Sequence, residues 1–320
     1  MKSDSTQPVI MFYGGGWPTN IGNAVIGLGA IALLQAAAPT ARVINLSGMP
    51  RWLFGDQHAH KALDVAGICG CDLAVFAGMS HCEEFVRVNG PTILKLRERG
   101  VPVLLLGTGA RLYTPAEKKM YSAFLKQVQP IAVVARDRET YEAYADTVEQ
   151  TVAGIDCGFF VSMAYGPVAV DLPPFVVVNF DAGEVPTIDS GGREIVYTHH
   201  DCWGPIVEER KTKLNTLISD LPYDYLTLYA NAECVYSDRV HACVAALSYG
   251  RKAQLFHPTP RGGLFAAMGV GDIRQKPVQL DPELFQTKRA EQIRVTSAII
   301  RESLEKSPNR KPLPALPTSA

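Results

Sequence analysis

The chain of 320 residues has almost no net charge: 31 Lys+Arg stand against 32 Asp+Glu, for −1 at pH 7. A generic nucleic-acid surface is usually strongly basic and is therefore not expected. A local basic pocket stays open, because net charge is silent about placement. No apolar run approaches the roughly 20 residues that span a bilayer. The opening MKSDSTQPVIMFYGGG lacks the charged start, apolar stretch and cleavage site of a signal peptide. The seven cysteines, Cys69, Cys71, Cys82, Cys157, Cys202, Cys234 and Cys243, are odd in number and scattered through apolar segments. That pattern reads as reduced thiols in an intracellular protein. The expectation is a cytoplasmic protein that would meet any membrane-linked substrate at the inner face.

Several chemical signatures are missing as well. Neither GxSxG nor HExxH occurs. His58, His60, Cys69, Cys71, His81 and Cys82 match no structural zinc spacing, so no metal or cofactor is expected. The loop Gly14-Gly15-Gly16-Trp17-Pro18-Thr19-Asn20-Ile21-Gly22-Asn23 is not GxGxxG, and no GK[ST] follows it. It is either a tight turn or a place where backbone approaches a ligand closely.

What remains is an ordinary globular composition, 47% hydrophobic and 20% charged, in a chain long enough for two domains. Strands are expected at Val9–Tyr13, Arg42–Leu46, Leu73–Ala77, Val101–Gly107 and Ile131–Ala135. Continuous apolar runs such as VPVLLLG indicate parallel strands buried on both faces. Helices follow from Asn20 as a cap, from Thr114-Pro115-Ala116-Glu117, and over Asp137–Ala145. The breaker-rich stretch from Ala164 to Pro174 reads as a linker. Beyond it come strands at Phe175–Phe180, Glu194–Thr198, Glu233–Tyr236 and Ala253–Phe256. Helices are expected at Pro205–Ser219, at Asp238–Tyr249 ended by Gly250, and from about Pro282 to Glu305. The fold class is α/β, two Rossmann-like doubly wound domains facing a cleft. The expected bounds are 1–165, 166–280, a C-terminal helix over 281–306 that packs across the domains, and a disordered tail over 307–320.

Ligands of such sheets sit at the carboxyl ends of the strands, and the candidate residues lie there. Ser237-Asp238-Arg239-Val240-His241 follows a strand and opens a helix, with Ser237 as its expected cap. A helix N-terminus favours an anion, arginine offers a planar fork for carboxylate or phosphate, and histidine titrates near neutral pH. Arg239 and His241 are two positions apart and do not share a helix face. The plainer alternative is a surface arginine beside a core histidine. Arg136 follows the strand IAVVA without a capping role or an evident partner, whereas Asp137 suits a helix cap. His199-His200-Asp201 also ends a strand.

With these residues in place, the chain resembles the polysaccharide pyruvyl transferase family. The carriers are the glycine loop with NIGNAVI, the ARDRET segment, Gly154-Ile155-Asp156 and, most specifically, YSDRVHACVAALSYGRKAQLF. The resemblance implies a GT-B-like fold, phosphoenolpyruvate as donor and a glycan acceptor, in the biosynthesis of polysaccharide. It places Arg136, Arg239, Val240 and His241 on the donor, with Arg239 and His241 catalytic. Gly15, Gly16, Asn20, Asn23 and His199 are expected to bind substrate as well. Two departures stand out. The family's loop aspartate is here Asn23, which cannot act as a base, and AGMSHCEEF lacks a glycine-rich run. A nucleotide-sugar glycosyltransferase of the same architecture and a catalytically altered sugar- or anion-binding homologue are the alternatives. Acceptor selection is expected in the loops Trp52–His60 and His81–Asn89.

Overall fold

A computed structural model describes residues 7–14, 20–47, 70–182, 184–200 and 215–306. Two parallel sheets follow one another along the chain. The first holds β1 (Val9–Gly14), β2 (Arg42–Ser47), β3 (Leu73–His81), β4 (Val103–Ala110), β5 (Ala132–Ala135) and β6 (Thr151–Ala153), in the order β2-β1-β3-β4-β5-β6. The second holds β7 (Phe175–Asn179), β8 (Glu194–Thr198), β9 (Thr216–Leu217), β10 (Cys234–Ser237) and β11 (Lys252–Leu255), in the order β11-β10-β7-β8-β9. Every pairing is parallel. The second order is that of a doubly wound dinucleotide-type half, with its direction switching between β7 and β10. In the first sheet the switch falls between β1 and β3.

β4, β5 and β7 are buried along their whole length and β1 nearly so, as apolar parallel strands covered on both faces are. Helix α1 (Ile21–Ala37) is capped by Asn20, whose side chain accepts from Gly22 N. It carries no charge and buries residues on every side, from Ile21 and Val25 to Leu33 and Leu34. Such a helix belongs between two layers rather than on a surface. It packs against the 3-10 turn at Cys157–Phe160 and the short α5 (Val161–Ala164) that leaves it. On the other face of the first sheet lie α2 (Glu83–Glu98), α3 (Pro115–Val128) and α4 (Arg138–Tyr144). Thr114 caps α3 and Asp137 caps α4, as their sequences predict. Helix α2 is not anticipated: Gly90 and Pro91 lie within it and mask its period.

In the second half, α6 (Pro222–Asn231) and α7 (Val240–Ser248) flank the sheet, and α8 (Gly263–Ala266) follows β11. Of the expected helix Pro205–Ser219, residues 205–214 lie outside the described residues. The rest is not helical: Asn215 has φ 61° and Thr216–Leu217 pairs with β8 as an edge strand. Helix α9 (Pro282–Glu305), capped by Asp281, returns to the first half. Gln292 bonds both backbone groups of Ile155, and Arg289 lies over the Phe285 and Phe160 rings. The expected tail 307–320 lies outside the described residues. Among the described residues no helix is long and apolar enough to cross a membrane.

The layer between the sheets is tight at Gly29. A Cβ there would stand 2.0 Å from the Cys157 carbonyl oxygen, whereas one at Gly27 would meet nothing nearer than 3.8 Å. Gly29→Ala is expected to cost about 1–3 kcal/mol in urea unfolding. Gly27→Ala, in the same helix, should be neutral or stabilising. Equal midpoints for the two variants would contradict this packing.

Candidate active site

The β10–α7 turn is held by its own side chains. Ser237 does not cap the helix as expected. Its hydroxyl donates to Asn179 Oδ1 (2.9 Å) and accepts from Arg239 N (2.8 Å), and the helix starts two residues later with Arg239 in the cap position. The Asp238 carboxylate accepts from the backbone of Asp181 (3.1 Å) and Ala182 (2.8 Å), fastening the end of β7 to the end of β10. That junction is the topological switch of the second sheet, where doubly wound folds bind ligands.

Arg239 and His241 diverge from this turn, as their spacing predicts. Arg239, with 30% of its side chain exposed, directs Nε to Asp181 Oδ2 (2.5 Å). Asp181 is further fixed by His199, whose Nδ1 lies 3.4 Å from Oδ1, and by the backbone N–H of His200. Burial works against its charge, but His199, Arg239 and His200 outweigh it and hold its pKa below the ordinary value. His199 is buried, with Nδ1 donating to Phe180 O (3.0 Å). The Val240 side chain belongs to the core, so only its backbone can serve a ligand.

His241 turns to the other half. Its Nε2 lies 3.6 Å from Asp156 Oδ2, and its Nδ1 faces α1: a Cβ built on Gly22 would come within 3.5 Å of it. The same Asp156 oxygen accepts from Arg136 Nη1 (3.2 Å), while Oδ1 accepts from Gly158 N (2.8 Å). Asp156 is fully buried. Desolvation alone would raise its pKa, but His241, Arg136 and Gly158 N overcome it and bring it down to about 2.

Arg136 sits differently from the sequence expectation of an unpartnered cation. It is 1% exposed, bonded to Asp156 and to Ala110 O (3.4 Å), with Nε 3.7 Å from Asp137 Oδ2. Gly109 makes room for it, since a Cβ there would stand 2.3 Å from Arg136 Nε. Burial opposes its charge, and Asp156, Tyr113 and Asp137 together keep its pKa above the usual value. Asp137 caps α4 through Oδ1 and accepts from the Tyr113 hydroxyl through Oδ2 (2.5 Å). Tyr113 is in the left-handed region (φ 56°), a conformation that costs a non-glycine residue free energy. The Glu117 carboxylate clamps it there by accepting from the N–H groups of Leu112 and Tyr113, each at 2.8 Å.

Asn20 and Asn23 stand at the start of α1 beside His241. Asn23 is half-buried, with its backbone N–H on Asn20 O (3.0 Å). Gly15, Gly16 and the loop Trp52–His60 lie outside the described residues. His200 is buried against the Tyr229 hydroxyl (2.6 Å), and burial pushes its pKa down to about 3. His81 stacks on Tyr121 and bonds Thr108 Oγ1, again pushed down to about 3 by burial. Both are neutral structural histidines. Cys71 is raised to about 12 by burial. Among the described residues no group of His, Cys, Asp and Glu is arranged to hold a metal ion.

Four residues of the site carry no role in the sequence reading: Asp156, Asp181, Tyr113 and Arg261. Arg261 belongs to the turn after β11, and burial, with the positive charges of Arg136 and Arg239, draws its pKa below the ordinary value. The available signal was placement, since Asp156, Asp181 and Arg261 all follow strands, as do the residues singled out.

A family model described as polysaccharide pyruvyl transferase matches residues 20–253. No curated protein matches the chain. Among solved structures, the chain is similar to the S. aureus MnaA–UDP co-structure, with TM-score 0.56 and 12% identity over 91% of each chain. UDP-N-acetylglucosamine 2-epimerase from Rickettsia bellii gives TM-score 0.56 and 12% identity over 94% of this chain and 97% of that one. The UDP-GlcNAc 2-epimerase from Neisseria meningitidis, bound to UDP-GlcNAc, gives TM-score 0.53 and 13% identity over 94% and 100%. At these identities the likeness concerns the fold, which is GT-B-like with parallel sheets.

The Asp156 pair leads to a pH prediction. A carboxylate with a depressed native pKa stabilises the fold above its unfolded value of about 4, and that stability is lost as pH falls through about 2. Asp156→Asn strips the buried Arg136 of a partner and should cost about 3 kcal/mol or more at pH 7. In urea titrations, the gap from wild type should shrink between pH 4 and pH 2. A gap independent of pH would show that the Asp156 charge is not what is lost.

Proposed function

Since the chain belongs to the polysaccharide pyruvyl transferase family, we propose that it moves the pyruvyl group of phosphoenolpyruvate onto two hydroxyls of a glycan, forming a ketal. The observation that carries this reading is the Asp156 carboxylate, which gathers Arg136 from the first half and His241 from the second at the carboxyl ends of both sheets. In the reaction one acceptor hydroxyl bonds to the central carbon of the donor while a proton goes to its methylene carbon. The second hydroxyl then bonds to the same carbon and phosphate leaves with the C–O electron pair; the first hydroxyl's proton restores the acid that protonated the methylene carbon, and the second's is carried off by phosphate. A small, multiply charged donor and a proton source are what the chain must hold.

His241 supplies the proton. Asp156 takes its Nε2 side, which orients the ring and leaves the Nδ1 side, next to Gly22, toward the start of α1. Arg239 contacts the anionic groups of the donor from the switch point, and Asp181 with His199 fixes its direction. The Val240 backbone N–H, in the first turn of α7, adds a donor without an intrahelical partner. Arg136 acts through Asp156 as a positioning residue, since its burial replaces the ligand contact that the sequence suggests. On the acceptor side, Asn20 and Asn23 offer amide groups to sugar hydroxyls. Asn23 cannot take a proton there, so the acceptor proton must pass to another group, such as the leaving phosphate.

In a single-turnover experiment with labelled phosphoenolpyruvate, His241→Ala should slow phosphate release by about 100-fold or more. Arg239→Ala should weaken donor binding by about tenfold or more. Undiminished release by both variants would sink the assignment. The fold is also that of nucleotide-sugar enzymes, so the donor itself needs a test. Phosphoenolpyruvate should raise the melting temperature and UDP- or GDP-sugars should not. The reverse ranking favours a glycosyltransferase, and binding of donor without turnover on any acceptor favours a catalytically altered homologue.

A further inference from the structure

We infer that Tyr225 and Tyr229 of α6 are positioning residues of the donor site, a two-point clamp that sets Asp181 and, through it, the direction of Arg239; this rests on the reading of Arg239 as the donor arm given above. Both tyrosines are fully buried, so neither touches a ligand. They stand four residues apart and therefore share one face of α6. That face meets the end of β8, where His199 and His200 follow one another. Each tyrosine takes one of the two. The Tyr225 hydroxyl donates to His199 O (2.8 Å), and the Tyr229 hydroxyl lies 2.6 Å from His200 Nε2. The His200 ring also stands edge-on to the Tyr225 ring, with centroids 5.7 Å apart.

The two histidines bear directly on the site. His199 Nδ1 lies 3.4 Å from Asp181 Oδ1, and His200 N donates to Asp181 Oδ2 (3.2 Å). That second oxygen is the one that accepts from Arg239 Nε. Both histidines thus fix one carboxylate, and the carboxylate fixes the arginine. The His200 carbonyl serves the other half of the molecule. It accepts from Ile21 N (3.3 Å), the first residue of α1, next to Gly22, where a built Cβ would come 3.4 Å from His241 Cβ. One residue therefore ties the arm of the second sheet to the helix start beside His241, and its ring is anchored on Tyr229.

The clamp is needed because the strand ladder has ended. The pairing of β7 with β8 stops at Thr198, and so does that of β8 with β9. A buried main-chain group without a partner is costly. Past Thr198 the partners come from elsewhere: Tyr225 for His199 O, Asp181 for His200 N and Ile21 for His200 O. Tyr225 is itself braced by Ser219 N (3.1 Å). A buried tyrosine hydroxyl also needs a partner, and the pairing of Tyr229 with His200 satisfies both rings. Removing that hydroxyl leaves Nε2 unsatisfied and frees the strand end to shift. An arginine that grips an anion through directed N–H groups is sensitive to such a displacement.

Isothermal titration of phosphoenolpyruvate, and separately of inorganic phosphate, into the full chain tests the inference. Tyr229→Phe keeps the ring and removes the hydroxyl, and should bind phosphoenolpyruvate about fivefold more weakly than wild type. Tyr225→Phe should do the same, and it stands in if the first variant does not fold. Tyr249→Phe removes a hydroxyl bonded to Tyr165 O at the far end of α7 and should bind as wild type does. The deciding measurement is a double-mutant cycle. In an Arg239→Ala background Tyr229→Phe should cause no further loss, because the arm it positions is gone. A loss of the same size in that background marks a general structural effect and overturns the inference, as does wild-type affinity in both Phe variants. Either result leaves the donor reading intact. If wild type binds phosphate but not phosphoenolpyruvate, and the loss in Tyr229→Phe again vanishes without Arg239, the clamp stands and the donor reading falls. Failure of wild type to bind either anion removes both.

Discussion

A buried carboxylate must be compensated, and the way Asp156 is compensated organises the molecule. Isolated in a dry interior its charge would cost several kcal/mol. Three groups answer it: Arg136 from the end of β5 and Gly158 N in the 3-10 turn through hydrogen bonds, and the His241 ring from the start of α7 at 3.6 Å. Each belongs to a different part of the chain. Gln292 of the C-terminal helix clamps the adjacent Ile155, so even the last element bears on this point. Moving any of these parts leaves the carboxylate uncovered, and the fold and the site are therefore stabilised by the same contacts.

A pattern of paired charge runs along the strand ends of the two sheets. Asp156 and Asp137 lie beside Arg136, and Asp181 lies beside Arg239. Each carboxylate stands behind an arginine and directs it. Histidines join two of these pairs: His199 steadies Asp181, and His241 shares Asp156 with Arg136. Arg136, 1% exposed, is held by Asp156, Asp137 and Ala110 O, while Arg239 retains 30% of its side chain exposed. Burial thus divides labour between residues of the same type.

Local rules made much of the architecture legible. Asn20, Thr114, Asp137 and Asp281 cap helices through hydrogen bonds to nearby N–H groups, interactions encoded within three residues. Unbroken apolar runs identified the buried strands. Helix α2 escaped because Pro91 and Gly90 are tolerated in its middle, and Thr216–Leu217 is an edge strand rather than helix, preceded by the left-handed Asn215. In the site, SDRVH was visible as a strand-to-helix turn, but the task of Ser237 was set by Asn179, 58 residues away. Asp156 was visible only as part of a short motif, since what meets it arrives 20 residues earlier and from β10 onward. Contacts of that range leave no periodic trace.

The apolar layer beneath the cleft is continuous. Phe12 and Val75 of the first sheet, Val177 and Val235 of the second, and Leu304 at the end of α9 belong to one cluster of buried side chains. Prising the sheets apart would wet that layer along its length, a cost that separate domains joined by a linker do not face. The molecule is better pictured as a pair of jaws fused at the root than as two lobes on a hinge. Relative movement of the two sheets is then resisted by one shared apolar layer rather than left to the chain that joins them.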